Sequence, residues 1–229
     1  KDYSMDKLEE LLTKFLTDLR KILLGVSETV ATQEKTALNK DIFFDEVRGM
    51  FGKLTTSQVK GMEAKLSAFR EASFPLSWAA YAMATSFHET AKKMVPVKEG
   101  LSLSDAWRKR NLRYYPYYGR GDVQLTWREN YVKADKELGL DGALISNLDL
   151  ALDNDVSAKV LVKGMKDGWF SGDKAGRHTL ARHLKNDEAS KEEFIPARRI
   201  VNILDKAELI AGYAVKFQSA LKKAGYGEG

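Results

Sequence analysis

The sequence predicts a mainly α-helical protein with at most a small β-hairpin. Apolar residues recur at three- and four-residue steps along most of the chain. Helix start and stop signals punctuate it at short intervals, and no run shows convincing strand alternation beyond residues 95–125. With 229 residues, 44% of them hydrophobic and 30% charged, the chain can bury one sizeable core and carry an appendage.

The appendage comes first. Leu8, Leu12, Phe15, Leu19 and Ile22 alternate steps of four and three, and Leu11, Leu16 and Leu23 widen the stripe into a clean amphipathic helix from Met5 to Leu24. Its polar face mixes both signs of charge, which argues against a dedicated anchor for anionic membranes. Packing on the body, a short coiled coil or docking segment, and a membrane-surface helix all fit the pattern. Gly25 to Leu38 is polar and reads as a linker or a weaker helical continuation. The division is therefore residues 1–38, an amphipathic helix and linker, and residues 39–229, the body.

In the body, the spacing predicts a short helix closed by Gly52 and a second from Thr56 to Arg70 behind a Thr55–Gln58 capping box. Pro75 then precedes a central helix over Ser77–Met94, rich in alanine and serine. Ser104–Arg113 reads as a short basic helix, and a loop dense in tyrosine and glycine follows it. Next comes a helix over Thr126–Leu138, with Thr126 and Glu129 as a second capping box. Asp153–Phe170 is amphipathic, residues 171–193 are polar with one helical turn near Leu180, and Asp205 caps a last helix that runs to Lys223.

Composition narrows the function classes. The chain has no cysteine, which removes disulfides and thiolate metal sites. No run is long enough to cross a bilayer, so no stable membrane insertion is expected, and no signal-peptide pattern opens the chain. The start at Lys1 reads as a processed or excised product. The net charge of +5 lies in the body, since residues 1–38 hold 6 Lys and Arg against 7 Asp and Glu. A basic body favours anionic partners: nucleic acid, acidic polysaccharide or a cell envelope.

Metal catalysis finds little support. His88-Glu89 begins like a zinc-protease motif, but Lys92 stands where the second histidine is required, and His178 and His183 have poor helical ligand spacing. No metal and no cofactor are expected. Two glutamates are the better candidates. Trp78, Tyr81, Ala82, Thr85 and Glu89 share one face of the central helix, and Glu99 follows ten residues later beyond Pro96. A carboxyl at the end of a buried apolar face is a candidate general acid; alternatively, Glu89 caps the helix or pairs with a cation. Beside an ionised Glu99, a protonated Glu89 suits glycoside hydrolysis. The loop supplies what a sugar cleft needs, aromatic platforms with amide and guanidinium groups, in Tyr117, Tyr118, Arg120, Gln124, Trp127 and Asn130. The competing reading of Arg108–Arg110 with the tyrosines is nucleic-acid binding.

Phe87-His88-Glu89-Thr90-Ala91, Met94-Val95-Pro96-Val97-Lys98-Glu99 and the long string from Tyr117 to Tyr131, YYGRGDVQLTWRENY, resemble glycoside hydrolase family 19, in its phage endolysin branch more than in its plant chitinases. The resemblance spans Asn39 to the Ala211-Gly212-Tyr213 region and excludes residues 1–38. It implies a lysozyme-like, two-lobed helical fold with a central cleft that cuts β-1,4 links next to N-acetylated sugars, with inversion and no cofactor. Glu89 falls on the family's general acid, Thr126 on its water-holding hydroxyl, and Glu99 is the candidate base left by the shorter spacing. Gln124, Asn130 and Asn202 match cleft positions; His88, Tyr118, Arg120 and Trp127 complete the expected substrate-binding set, with the alternatives that Tyr118 packs under the loop and Arg120 pins it through a buried carboxylate. The implied enzyme is a peptidoglycan-cleaving endolysin, made in a host cytoplasm and acting on the cell wall, with no nucleic-acid partner. A chitinase is the alternative, as is a non-catalytic wall-binding or virion module. The first helix is left for self-association or docking.

Overall fold

A computed structural model describes residues 14–16, 19, 38–170, 172–173 and 176–227. The expectations for the rest of residues 1–37 lie outside the described residues. Of that segment, 14–16 and 19 are helical, and Phe15, Leu16 and Leu19 are exposed.

Helix α1 (Lys40–Phe51) starts where the Asn39 side chain accepts from the Ile42 N–H, and it buries Phe43 and Val47. Helix α2 (Thr56–Glu71) has the expected reciprocal capping box between Thr55 and Gln58. Its buried face carries Met62, Leu66 and Phe69 and, among them, Lys65. Helix α3 (Leu76–Glu89) is the centre of the core, with eleven of its residues buried. It packs mainly on the last helix, α10 (Ala207–Lys223). Alanines on both helices permit close approach, and Phe87 meets Tyr213 and Phe217 edge-on at 4.8 and 5.8 Å.

The central helix is shorter than its composition suggests: it ends at Glu89, not Met94. The N–H of Lys92 turns back to the Phe87 carbonyl, and Ala91, Lys92 and Met94 take positive φ. Contacts from α2 hold that turn. The Lys65 ammonium donates to the Met94 carbonyl, the Gln58 amide donates to the Lys92 carbonyl, and a Cβ on Gly61 would lie 1.9 Å from the Met94 oxygen. The helix stops because α2 holds the next segment in place.

Strand β1 (Val97–Lys98) pairs antiparallel with β2 (Arg120–Gly121), with α4 (Asp105–Asn111) between them in sequence. Then come α5 (Arg128–Glu137), α6 (Ala143–Ser146), a 3-10 turn over Leu148–Leu152 and α7 (Asn154–Asp167). A hairpin of β3 (Gly172–Asp173) and β4 (Gly176–Arg177) follows, where only polar loop was expected. Short helices α8 (Leu180–His183) and α9 (Lys191–Phe194) and a 3-10 segment over Ile195–Ile200 lead into α10. Two expected caps are absent. Helix α5 begins behind Trp127 at φ 74, and α10 behind Lys206 at φ 56, neither with a side-chain cap. Among the described residues, no helix is long and apolar enough to cross a membrane.

Candidate active site

Two groups of candidate residues form around the two glutamates. Glu89 closes the last turn of α3, about one-fifth exposed, and its Oε1 accepts from Arg198 Nη1 at 2.7 Å. Arg198 is 2% exposed, and its Nε donates to the Asp205 carbonyl. The apolar face of α3 lies beneath, with Tyr81 and Thr85 fully buried. Burial raises the Tyr81 phenol well above its ordinary value, against the lowering influence of Arg198. Of the two readings of Glu89, the carboxyl at the end of a buried apolar face and the carboxyl paired with a cation, the structure shows both features together. A cation 109 residues further along the chain holds one carboxyl oxygen. His88 beside it is half-buried; its carbonyl accepts from the Ala91 N–H, and its ring makes no hydrogen bond among the described residues. Asn202 is exposed, one turn beyond Arg198, and its N–H donates to the Arg198 carbonyl.

The second group is built by the tyrosine-rich loop. Glu99 Oε1 accepts from the Tyr114 hydroxyl at 2.6 Å, and Oε2 accepts from the Gly119 N–H at 2.9 Å. Burial, and then the hydrogen bond and charge of Glu99, push the Tyr114 phenol up to about 12, so it stays a donor near neutrality. The Tyr114 ring lies against Trp127 at 4.9 Å, and Arg113 covers that indole at 5.1 Å. Gln124 Nε2 donates to the carbonyls of Val97 and Gly121, and its Oε1 would touch a Cβ on Gly119 at 2.7 Å. Thr126 is not the helix cap: its hydroxyl donates to the Gln124 carbonyl, which leaves its oxygen lone pairs available. Asn130 Nδ2 donates to the Thr126 carbonyl. Gln124 and Trp127 take positive φ, 55 and 74, a backbone that residues other than glycine rarely adopt. Hydrogen bonds from the N–H groups of Leu125 and Trp127 to the carbonyls of Arg120 and Tyr117 hold it.

Two expected sugar contacts lie inside the protein. Tyr118 is 1% and Arg120 5% exposed, with the guanidinium stacked 3.7 Å from the tyrosine ring centroid. Arg120 also reaches Asp149 at 2.8 Å, the Tyr131 hydroxyl at 3.0 Å and the Pro116 carbonyl at 3.0 Å. Burial works against the Asp149 carboxylate, but Lys98 and Arg120 outweigh it and hold its pKa below the usual range. Arg120 and Tyr118 brace the loop from below. Among the expected aromatic contacts, Trp127 remains partly exposed, at 37%.

A buried polar cluster joins the two groups. Lys65 and Asp122 form an ion pair at 2.7 Å, at 1% and 0% exposure. The Ser86 hydroxyl, from α3, donates to Asp122 Oδ1 at 2.7 Å, and the Ser157 hydroxyl, from α7, to Oδ2 at 2.6 Å. Ser86 lies three residues before Glu89, and Asp122 three residues after Gly119. The sequence held one legible signal for this cluster: a lysine on the apolar stripe Met62–Lys65–Phe69, where only a buried partner makes it tolerable. Nothing local marked Arg198. No group of three or more His, Cys, Asp or Glu among the described residues could hold a metal ion.

No family model and no curated protein sequence matches the chain. Solved structures do resemble it. Chitinase C from Streptomyces griseus HUT6037 superposes with a TM-score of 0.55 at 22% identity, over 78% of this chain and 75% of that one. A Glu-to-Gln mutant of chitinase C gives 0.53 at 21% identity, over 78% of this chain and 91% of that one. The likeness establishes the fold. The chain has the lysozyme-like, mainly helical architecture of these chitinases.

Proposed function

We propose that the protein is a glycoside hydrolase that cleaves β-1,4 bonds next to N-acetylated amino sugars, with cell-wall peptidoglycan as its substrate in an endolysin role. The observation that carries this reading is the pair of glutamates, each oriented by a different partner, on a chitinase fold. Arg198 occupies Glu89 Oε1 and leaves Oε2 to present a proton to the glycosidic oxygen. Both oxygens of Glu99 accept from neutral donors, and each keeps a lone pair for the attacking water. The Thr126 hydroxyl oxygen is the second acceptor for that water, and Trp127 offers an apolar face to a sugar ring. Gln124, Asn130, His88 and Asn202 remain the polar candidates for substrate contact. Water attacks the anomeric carbon as the glycosidic C–O bond breaks. The proton of Glu89 goes to the departing oxygen, and a proton of the water goes to Glu99.

Chitin is the second reading, favoured by the likeness to chitinase C. The experiment compares wild type, Glu89→Gln and Glu99→Gln on purified sacculi and on chitin, with mass spectrometry of the released reducing ends. The Glu89→Gln change keeps size and an amide but removes the acid, so the fold should survive and turnover should fall by about 10²–10⁴-fold or more. Glu99→Gln should be damaging but milder if Thr126 still positions the water. Muropeptides from sacculi would support the wall reading; release from chitin alone would move the assignment to chitinase. Substantial activity in a folded Glu89→Gln protein would sink the mechanism.

A further inference from the structure

A groove of about 620 Å³ opens at the other end of α3 from Glu89, between α2, the turn after it and the start of the described body. The thirteen helical steps from Leu76 to Glu89 separate the groove from the glutamate by about 20 Å at 1.5 Å per step, so it is distinct from the candidate active site. Its floor is apolar, formed by the edges of Leu66, Phe74 and Leu76, each at most 7% exposed, over the fully buried Phe69, whose ring stacks on that of Phe74 at 5.5 Å. Leu38 lines one edge, and Arg70, exposed and without an ion-pair partner among the described residues, lines the rim. A concavity of this size accommodates several apolar side chains.

The same chain carries an apolar surface in need of cover. Phe15, Leu16 and Leu19 are helical and 62%, 55% and 42% exposed, on a sequence whose stripe continues through Leu8, Leu12 and Ile22. An exposed stripe of this kind costs solvation free energy that burial recovers, at about 25 cal/mol per Å². We propose that the groove is the docking site of the chain's own amphipathic segment, residues 8–23. The connection decides between this occupant and others. The polar stretch from Gly25 ends at Leu38, which is itself part of the groove wall. The fourteen residues from Gly25 to Leu38 span at most about 50 Å when fully extended, so the chain keeps the stripe within reach of the groove. Glu9, Glu10 and Asp18 on the flank of the stripe offer a partner to Arg70.

The absence of cysteine makes the test clean. The full chain with Leu16→Cys and Ser67→Cys, the latter on the groove wall, is oxidised at low protein concentration beside a control pairing Leu16→Cys with Lys136→Cys on α5. A parallel pair uses Leu19→Cys, in case Leu16→Cys disturbs folding. Peptide mapping should find an intramolecular disulfide between positions 16 and 67 forming at least about tenfold faster than in the control. Disulfides between chains would overturn the proposal in favour of a second copy as occupant. Equal rates in both pairs, or no disulfide in either groove pair, would overturn it outright. As an independent readout, Ser67→Arg should block the groove and speed amide exchange across residues 8–23; unchanged exchange there counts against docking.

Discussion

Breaking the buried Lys65–Asp122 pair should cost more stability than any single change on the candidate cleft surface. The Lys65 ammonium is 1% exposed and reaches Asp122 at 2.7 Å and the carbonyls of Gly61 and Met94 at 3.2 and 2.9 Å. A methionine at position 65 keeps most of the length and the apolar stem but strands a fully buried carboxylate. The two serine hydroxyls on Asp122 compensate for only part of the lost cation. Removing one partner of a buried pair costs about 3–5 kcal/mol, a large share of the roughly 5–15 kcal/mol that holds a typical domain together. Asp122→Asn keeps contacts to both serines but leaves Lys65 with two carbonyls and no counter-charge, so its cost should be similar. The double variant removes both charges. Its cost should fall short of the sum of the singles by at least about 1.5 kcal/mol. Urea unfolding of the four proteins, with slopes compared to confirm a two-state transition, measures this coupling. Additive singles of under about 1 kcal/mol each would refute the reasoning, because that result requires a site water can reach.

Three further outcomes follow from particular contacts. Gly61→Ala places a Cβ 1.9 Å from the Met94 oxygen, so α2 or the turn after α3 must shift; stability should fall by about 1–3 kcal/mol, and an unchanged melting temperature would contradict the contact. Burial, followed by the charges of His178, Arg182 and Arg199, lowers His183 from 6.5 to about 4. Between these values the unfolded chain binds more protons than the folded one, so this stabilisation is complete above pH 6.5 and is lost as pH falls toward 4. Because the ring is only half-buried, solvent screening cuts the effect to about 1–2 kcal/mol, read as the difference in unfolding free energy between pH 7 and pH 5 that His183→Asn should abolish. Finally, with Glu99 as base, the carboxyls should stand roughly 6.5–9.5 Å apart and the first product should carry the inverted anomeric configuration; early NMR spectra with a β-anomer at the new reducing end would speak against that scheme.

Much of the fold was legible because much of it is local. Gly52, the Thr55–Gln58 box, the stripe of α7 and the alanines of α3 each mark their helix within a few residues. What escaped the sequence depends on distant partners. The end of α3 is imposed by Gln58, Gly61 and Lys65 from another helix. The β3–β4 hairpin is two residues per strand and has no room to show alternation. At the site, Glu89 and Glu99 stood out as a pair, but the guanidinium on Glu89 comes from 109 residues away and could not be inferred from the helix that carries it. For Tyr118 and Arg120 the sequence left two readings open, for a different reason. An arginine among tyrosines has the composition of a sugar platform and also of a stacked, hydrogen-bonded brace, and only burial distinguishes them.

The segment Gly119–Asp122 gains its meaning from that distinction. An inverting pair of carboxylates works within a narrow range of separation, yet Glu89 closes a helix while Glu99 follows a two-residue strand. Nothing in either element alone sets the distance between them. Gly119 binds Glu99 twice, through its N–H to the carboxylate and through its carbonyl to the Glu99 N–H at 2.7 Å. Three residues on, Asp122 binds Ser86, one turn before Glu89. Four consecutive residues therefore connect both carboxylates to one rigid piece of backbone. Their side chains fit that task. Gly119 leaves room for Gln124, Gly121 takes φ +90 with Ser157 Oγ 3.0 Å from where a Cβ would sit, and Arg120 is locked beneath by Tyr118, Tyr131 and Asp149. Gly119–Asp122, of which the sequence offered Arg120 as a sugar contact, ties the elements that carry the two candidate catalytic groups to one stretch of backbone.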